Sequence, residues 1–212
     1  QMFVAVNEAV REYMYQPRYD PSHDYEHIQR VVNNAHQLYI AEKKRNSRLI
    51  TPGFDIVAMY LGAMCHDIGK SKYLEAGKTQ EQVVEELIMQ CGATSELARK
   101  VALIPVNVSF TPQYTSDEPS RIFDFIKAHP EHAFVQDADR LDGLGAIGQG
   151  LSFVFGGANA RRRQQTAHVG VILHWERFQD YLPLMKTTVG REEAERRWQE
   201  MHRYRTEWNR ES

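Results

Sequence analysis

A chain of 212 residues with 42% apolar and 25% charged side chains carries enough material for one sizeable globular core, which excludes a disordered or low-complexity chain. Lys and Arg number 26 against 28 Asp and Glu, and the resulting net charge of -2 gives no overall attraction for nucleic acid. The two cysteines, Cys65 and Cys91, form no Cys-x-x-Cys pair, so they suggest neither a disulfide framework nor a zinc finger and fit a reducing compartment.

Apolar residues recur at helical spacing in segment after segment, and no window alternates as a strand would, so an all-α fold is expected. The first helix is predicted from about Phe3 to Tyr15, ending before Pro17, and Glu8 interrupts the apolar run that a signal peptide would need. The second follows the turn at residues 21–24 and buries Ile28, Val31, Val32, Ala35 and Leu38, with His27 at the edge of that stripe. Thr51 and Pro52 form a helix-start signature, and that helix reads on to about His66 with Gly69 at its end. Thr79 with Gln82 makes a capping box for a helix that Gly92 closes, and another helix spans about Ser95 to Leu103.

Pro105 and Pro112 bracket an irregular stretch, Glu118 to Ala128 is a short helix, and residues 128–132 read as a connection. One long helix is predicted from Phe134 to about Phe155, ended by Gly156 and Gly157, with further helices at about 165–185 and 191–209. No internal repeat or long linker divides the chain, so residues 1–212 are read as a single domain. No apolar run approaches the roughly 18 residues that span a bilayer. A soluble, cytoplasmic protein with no membrane or nucleic-acid partner, monomeric or homodimeric, is therefore expected.

The chemistry concentrates in Ala63-Met64-Cys65-His66-Asp67-Ile68-Gly69-Lys70. An adjacent His and Asp at the buried end of an apolar helix are costly to desolvate, and such groups are paired, hydrogen-bonded or bound to metal. His66 and Asp67 could give a nitrogen and an oxygen to one cation, a mixed set suited to Mn, Fe, Co, Ni or Zn. The plainer reading has His66 capping helix carbonyls. Two further helices bring potential ligands, in Ser22-His23-Asp24-Tyr25-Glu26-His27-Ile28-Gln29-Arg30-Val31 and in Val135-Gln136-Asp137-Ala138-Asp139-Arg140-Leu141-Asp142.

With these segments in view, the sequence resembles the HD superfamily of metal-dependent phosphohydrolases, whose signature is a His, a His-Asp pair and a distant Asp. Within it the chain looks like the branch of small bacterial and fungal nucleotide-pyrophosphatase-like proteins. The resemblance covers about residues 20–205, down to Leu184-Met185-Lys186-Thr187-Thr188. It implies an HD-domain helical bundle with one divalent metal ion, manganese in the first instance and iron, cobalt, nickel, zinc or magnesium otherwise. The implied ligands are His27, His66, Asp67 and Asp139.

Asp139 and Asp142 lie three residues apart on one helix face while Asp137 points elsewhere, so Asp142 is read as an acceptor for an imidazole or a bound water. His23 is read as a turn residue. Two-metal relatives carry extra His ligands between the pair and the final Asp, and residues 93–111 hold none, which favours one metal.

Some HD nucleotidases have a carboxylate near the position of Lys70. Lys70 is accordingly assigned to phosphate, with Glu75 or Asp142 helping to position the attacking water. Lys72 and Arg140 are further phosphate-binding candidates, and His174 is a candidate to face the substrate. Arg161, Arg162 and Arg163 form a basic run after a glycine pair, read as a solvated loop or a lid.

The expected activity is hydrolysis of a nucleotide, from nucleoside triphosphate to monophosphate and pyrophosphate. The alternatives are a phosphomonoesterase acting as a 5'-nucleotidase and a non-catalytic HD-fold nucleotide sensor. HD-fold oxygenases need a two-iron ligand set richer in His than this chain supplies.

Overall fold

The computed structural model describes residues 1–17, 19, 21, 23–70, 74, 77–108, 120–158 and 166–212. Among them every regular element is helical, in the order α1 (Met2–Met14), α2 (Tyr25–Lys44), α3 (Ile56–Cys65), α4 (Gln80–Gln90), α5 (Ser95–Ala102), α6 (Pro105–Val108), α7 (Ser120–Ala128) and α8 (Glu131–Asp142). There follow α9 (Gly145–Ala158), α10 (Ala167–Phe178), a 3-10 turn (Gln179–Leu184) and α11 (Thr188–Glu211). None of these helices is long and apolar enough to cross a membrane.

Two hydrophobic clusters use opposite parts of α2 and α3. One joins Val31, Ala35 and Leu38 of α2 to Met59 and Ala63 of α3, Phe134 and Ala138 of α8, and Ala194 and Met201 of α11. The other joins Ile28 of α2 and Leu61 and Cys65 of α3 to Val6 and Val10 of α1, Val84 and Ile88 of α4, and Val101 of α5. Buried apolar surface of this kind contributes roughly 25 cal/mol per Å2, and it holds α2, α3 and α8 together where the ligand candidates emerge.

The capping box at Thr79 is present as expected, with Gln82 N and Oε1 both engaged. The start of α3 differs from the expectation. Its cap is Asp55, whose side chain accepts from Ala58 N, while Thr51 and Pro52 sit in a preceding turn. Asp55 is favoured because its own amide donates to the buried Glu131, which also takes Lys100 and so fixes the entry to α3. The expected connection at 128–132 shrinks to His129 and Pro130, because α8 begins at Glu131.

The long helix predicted from Phe134 is two helices. α8 ends at Asp142, and Gly145, the first residue of α9, takes φ +73, a left-handed conformation that redirects the chain. The helix expected at 165–185 likewise stops at Phe178 and passes into the 3-10 turn, where Pro183 cannot donate to a continuing α-helix. The stretch around Pro112 and the basic run Arg161 to Arg163 lie outside the described residues.

Two buried carboxylates fix α11 against the bundle. Asp137 accepts from the amides of Lys186 and Thr187 and from Thr187 Oγ1 at 3.0, 2.7 and 2.8 Å. Glu42 accepts from Val189 N at 2.7 Å. These bonds satisfy otherwise orphaned amides at a helix start, and they give Asp137 a structural role away from the metal-ligand candidates.

Candidate metal centre

His27 is placed by the start of α2, where the Asp24 side chain caps the helix by accepting from His27 N. His66 and Asp67 follow directly on α3. The turn that presents them closes at Gly69, whose φ of +68 suits glycine and whose absent side chain leaves room for Gln80 Cα, 3.3 Å from where a Cβ would stand. Gln80 Nε2 donates to Ile68 O, and Gly69 N donates to Tyr13 Oη, so α4 and α1 hold this turn from two sides. Asp139 comes from α8, whose other face is packed in the core.

One ligand atom from each of His27, His66 and Asp139 lies within 4.8 Å of the others. His27 Nε2 is 3.0 Å from His66 Nε2, and Asp139 Oδ1 is 3.3 and 3.6 Å from those two nitrogens. Asp67 stands beside them, with Oδ1 3.2 Å from His66 Nε2 and Oδ2 3.8 Å from His27 Nε2. The second nitrogen of each ring is committed elsewhere. His66 Nδ1 is 2.8 Å from the Ala63 carbonyl, which can only accept, and His27 Nδ1 is 2.7 Å from Asp142 Oδ2. With both Nδ1 atoms as donors, two imidazole lone pairs and two carboxylates face one another across a buried gap.

Four acceptors converging in this way need a cation, and the Lys70 ammonium reaches only Asp67 among them. In the metal-free protein a proton answers part of this need. Burial disfavours charge on His27, but hydrogen bonds to Asp139 and Asp142 and the charge of Asp67 outweigh it and raise its pKa to about 10. Asp67 and Asp139, although buried, are held below the usual carboxylate range, Asp67 by Lys70, His66 and His27 and Asp139 by His27 and His66. The residues present therefore fit a divalent ion of the borderline class that takes imidazole nitrogen and carboxylate oxygen together.

Lys70 Nζ lies 2.5 Å from Asp67 Oδ1, although neither Asp67 oxygen has a hydrogen bond of good geometry. Burial opposes the charge on Lys70, yet Asp67 and Asp139 outweigh it and keep the ammonium protonated. Lys70 is thus a cation at the site and not a base.

Behind His27, Asp142 is gripped by Arg30, whose Nε and Nη2 donate to its two oxygens at 2.7 and 3.0 Å. An Arg–Asp–His chain of this form fixes the ring orientation and tautomer of a ligand histidine. Arg30 was not among the residues singled out in the sequence. Its signal is the spacing of three from His27 along α2, which places both on one face.

A cavity of about 620 Å3 opens from this cluster. Its wall includes Lys70, Arg140, His174, Arg177 and Tyr181 beside His27, His66 and Asp139, together with His23 and the apolar Leu151 and Phe155. Arg140 and His174 are therefore brought to the same cavity as the ligand candidates. Arg177 and Tyr181, four residues apart across the end of α10, join them without having been predicted. His23, read as a turn residue, stands with its ring 6.1 Å from that of His27. Lys72 and Glu75 lie outside the described residues.

Helices that bring a His from α2, a His-Asp pair from the end of α3 and an Asp from α8 to one point define the HD-type fold. No protein-family model matches the chain. The chain has this HD-type fold and belongs to the family of YpgQ from Bacillus subtilis (strain 168), an uncharacterized protein to which it is 30% identical over 179 residues, or 82% of this chain and 77% of YpgQ. The crystal structure of YpgQ in complex with ADP is similar to the chain with a TM-score of 0.70 at 24% identity, covering 100% of this chain and 97% of that one. That of an HD-superfamily hydrolase from Bacillus thuringiensis has a TM-score of 0.66 at 22% identity, covering 100% and 98%.

Proposed function

We propose that this protein is a metal-dependent phosphohydrolase acting on nucleotides, which cleaves a nucleoside triphosphate to monophosphate and pyrophosphate. The observation that carries the reading is the convergence of two imidazoles and two carboxylates on one point, at the end of a cavity that also receives Lys70, Arg140 and Arg177. A relative crystallised with ADP supports a nucleotide as the ligand. His27, His66, Asp67 and Asp139 would hold one divalent ion, for which manganese suits the mixed donor set. Such an ion supplies Lewis acidity and neutralises charge on a phosphate.

The remaining steps belong to the side chains. Lys70 leaves Asp67 to meet a phosphate oxygen, Arg140 and Arg177 receive the rest of the polyphosphate from the cavity wall, and Asp142 keeps the His27 ring in register. Water gives its oxygen to the α-phosphorus, the bridging oxygen leaves with pyrophosphate, and the protons pass to solvent.

A panel of nucleoside triphosphates, diphosphates and monophosphates, supplied with manganese and followed by ion chromatography, tests this. Pyrophosphate is expected from triphosphates. Orthophosphate from monophosphates alone would replace the reading with a 5'-nucleotidase, and binding without turnover would leave a nucleotide sensor.

Lys70→Met separates binding from chemistry. A cation that meets phosphate equally in substrate and transition state contributes to KM, so KM is expected to rise about tenfold with little change in kcat. A large fall in kcat at unchanged KM would put Lys70 in the chemical step instead.

A further inference from the structure

His174 has a polar atom that no group among the described residues uses. Its ring is 6% exposed and lies flat against Phe178, with centroids 4.3 Å apart and planes at 15°. One ring nitrogen hydrogen-bonds to the backbone of Gly143, and Nε2 is buried with no partner. The Gly143 bond favours the protonated ring, as a donation to a carbonyl does, but burial dominates and lowers the pKa to about 4. His174 is therefore neutral near pH 7, with Nδ1 as the donor to Gly143 and Nε2 left as an acceptor. A buried acceptor without a donor is costly, and native interiors hold few of them.

The position of this nitrogen says what it could take. Gly143 directly follows Asp142, so His174 sits one residue beyond the carboxylate that holds His27. It lines the same cavity as Lys70 and Asp139. Past it the cavity wall turns apolar with Leu151, Phe155 and Leu173. A ligand with phosphates at the metal-ligand end and a flat, partly apolar body at the other would pass His174 between the two.

We propose that His174 Nε2 accepts a hydrogen bond from a hydroxyl or amine of the substrate's nucleoside, and that this contact separates nucleotides from bare polyphosphates. The inference rests on the phosphohydrolase reading above. Phe178 is its support, since the stacked ring fixes the plane in which the acceptor points. A neutral ring with one nitrogen already donating has a single role left at the other, so the site selects a donor and not a second acceptor.

The test measures manganese-dependent binding of ATP and of inorganic tripolyphosphate to the full chain by calorimetry. His174→Phe keeps an aromatic ring on Phe178 but has no acceptor, and it is expected to weaken ATP about tenfold while leaving tripolyphosphate unchanged. His174→Gln, which restores an amide oxygen near Nε2, should recover most of the difference. Wild-type protein given 2',3'-dideoxyATP and the triphosphate of purine riboside, which lacks the exocyclic amine, then locates the donor. A loss confined to the first puts it on the sugar, and a loss confined to the second puts it on the base.

Equal weakening of ATP and tripolyphosphate by His174→Phe, or no change in either, overturns the assignment of His174 and leaves the phosphohydrolase reading standing. So does wild-type affinity that is indifferent to both analogues. Wild-type protein that neither binds nor cleaves ATP or tripolyphosphate overturns both.

Discussion

His66→Ala is expected to lower turnover by about a thousandfold and to strip the protein of its divalent metal. Of the converging groups His66 is the most deeply set, with 0% exposure, and its Nε2 lies 3.0 Å from His27 Nε2 and 3.2 Å from Asp67 Oδ1. Its loss leaves the two carboxylates facing only His27, with no second imidazole to complete the mixed donor set. The catalytic effect of a Lewis acid on a phosphoryl group is several kcal/mol, and about 4 kcal/mol corresponds to about three orders of magnitude in rate. Metal content by plasma mass spectrometry and turnover, measured on the same preparation, check it. A variant that retains one metal per chain and wild-type turnover would remove the proposed centre. Arg30→Met is the milder companion. It frees Asp142 from its bidentate grip without touching a ligand, and metal affinity is expected to fall by roughly 10–100-fold.

These two residues mark what could be read from the sequence. His66 and Asp67 stand out only together with His27 and the carboxylates at 137–142, because alone the pair reads equally as a helix end where His66 caps a carbonyl, a contact that is present from His66 Nδ1 to Ala63 O. Asp139 and Asp142 were separable from Asp137 by the three-residue spacing, and in the structure both face His27 while Asp137 holds the start of α11. Arg30 shares a face with His27 by the same spacing, but that spacing does not say what it binds. Beside Glu26, one turn back, it reads as an ordinary solvated i,i+4 pair, and that contact is indeed present at 4.0 Å. Its use depends on Asp142, 112 residues away, which local pattern does not reveal.

The same limit explains the break after α8. Gly143-Leu144-Gly145 leads into the small and apolar Ala146-Ile147-Gly148, and helical periodicity registers apolar spacing without registering a sign change in φ. What separates the two helices is the backbone between Asp142 and Gly145, where Gly145 takes a positive φ. Arg177 and Tyr181 are illegible in the sequence for a related reason, since they span the junction between α10 and the 3-10 turn, where helical spacing alone predicts one continuous helix.

Acid is expected to destabilise the metal-free protein before its carboxylates titrate, by about 1.4 kcal/mol per pH unit for each of two histidines. His132 and His174 are neutral in the fold. Burial, then the charges of Lys186 and Arg140, push His132 down to about 3, and burial pushes His174 down to about 4. In the unfolded chain both return to about 6.5. The stability they represent is therefore fully present above pH 6.5 and is lost progressively as pH falls toward 4, because the unfolded state takes up protons that the folded state refuses. His27 has the opposite sign. Its folded value of about 10 makes its contribution complete below 6.5 and lost only as pH rises through 10, so it does not drive acid unfolding. Lys186, lowered to about 7 by burial and by Arg140, is largely protonated by pH 6, and Asp67, Asp139 and Asp142 are held below the usual carboxylate range. Burial raises the Asp137 carboxyl above its ordinary value, which opposes the histidines as pH falls, so the share of His132 between pH 6 and 4.5 is read from the difference between wild type and variant. Urea unfolding at closely spaced pH values across this interval, in the presence of chelator, should give a steep slope for the wild type. His132→Gln, which cannot titrate, should flatten that slope by about 1.4 kcal/mol per pH unit, whatever it does to absolute stability. An unchanged slope would mean that His132 is protonated in the folded protein at these pH values, and that its buried, neutral state is not a property of the fold.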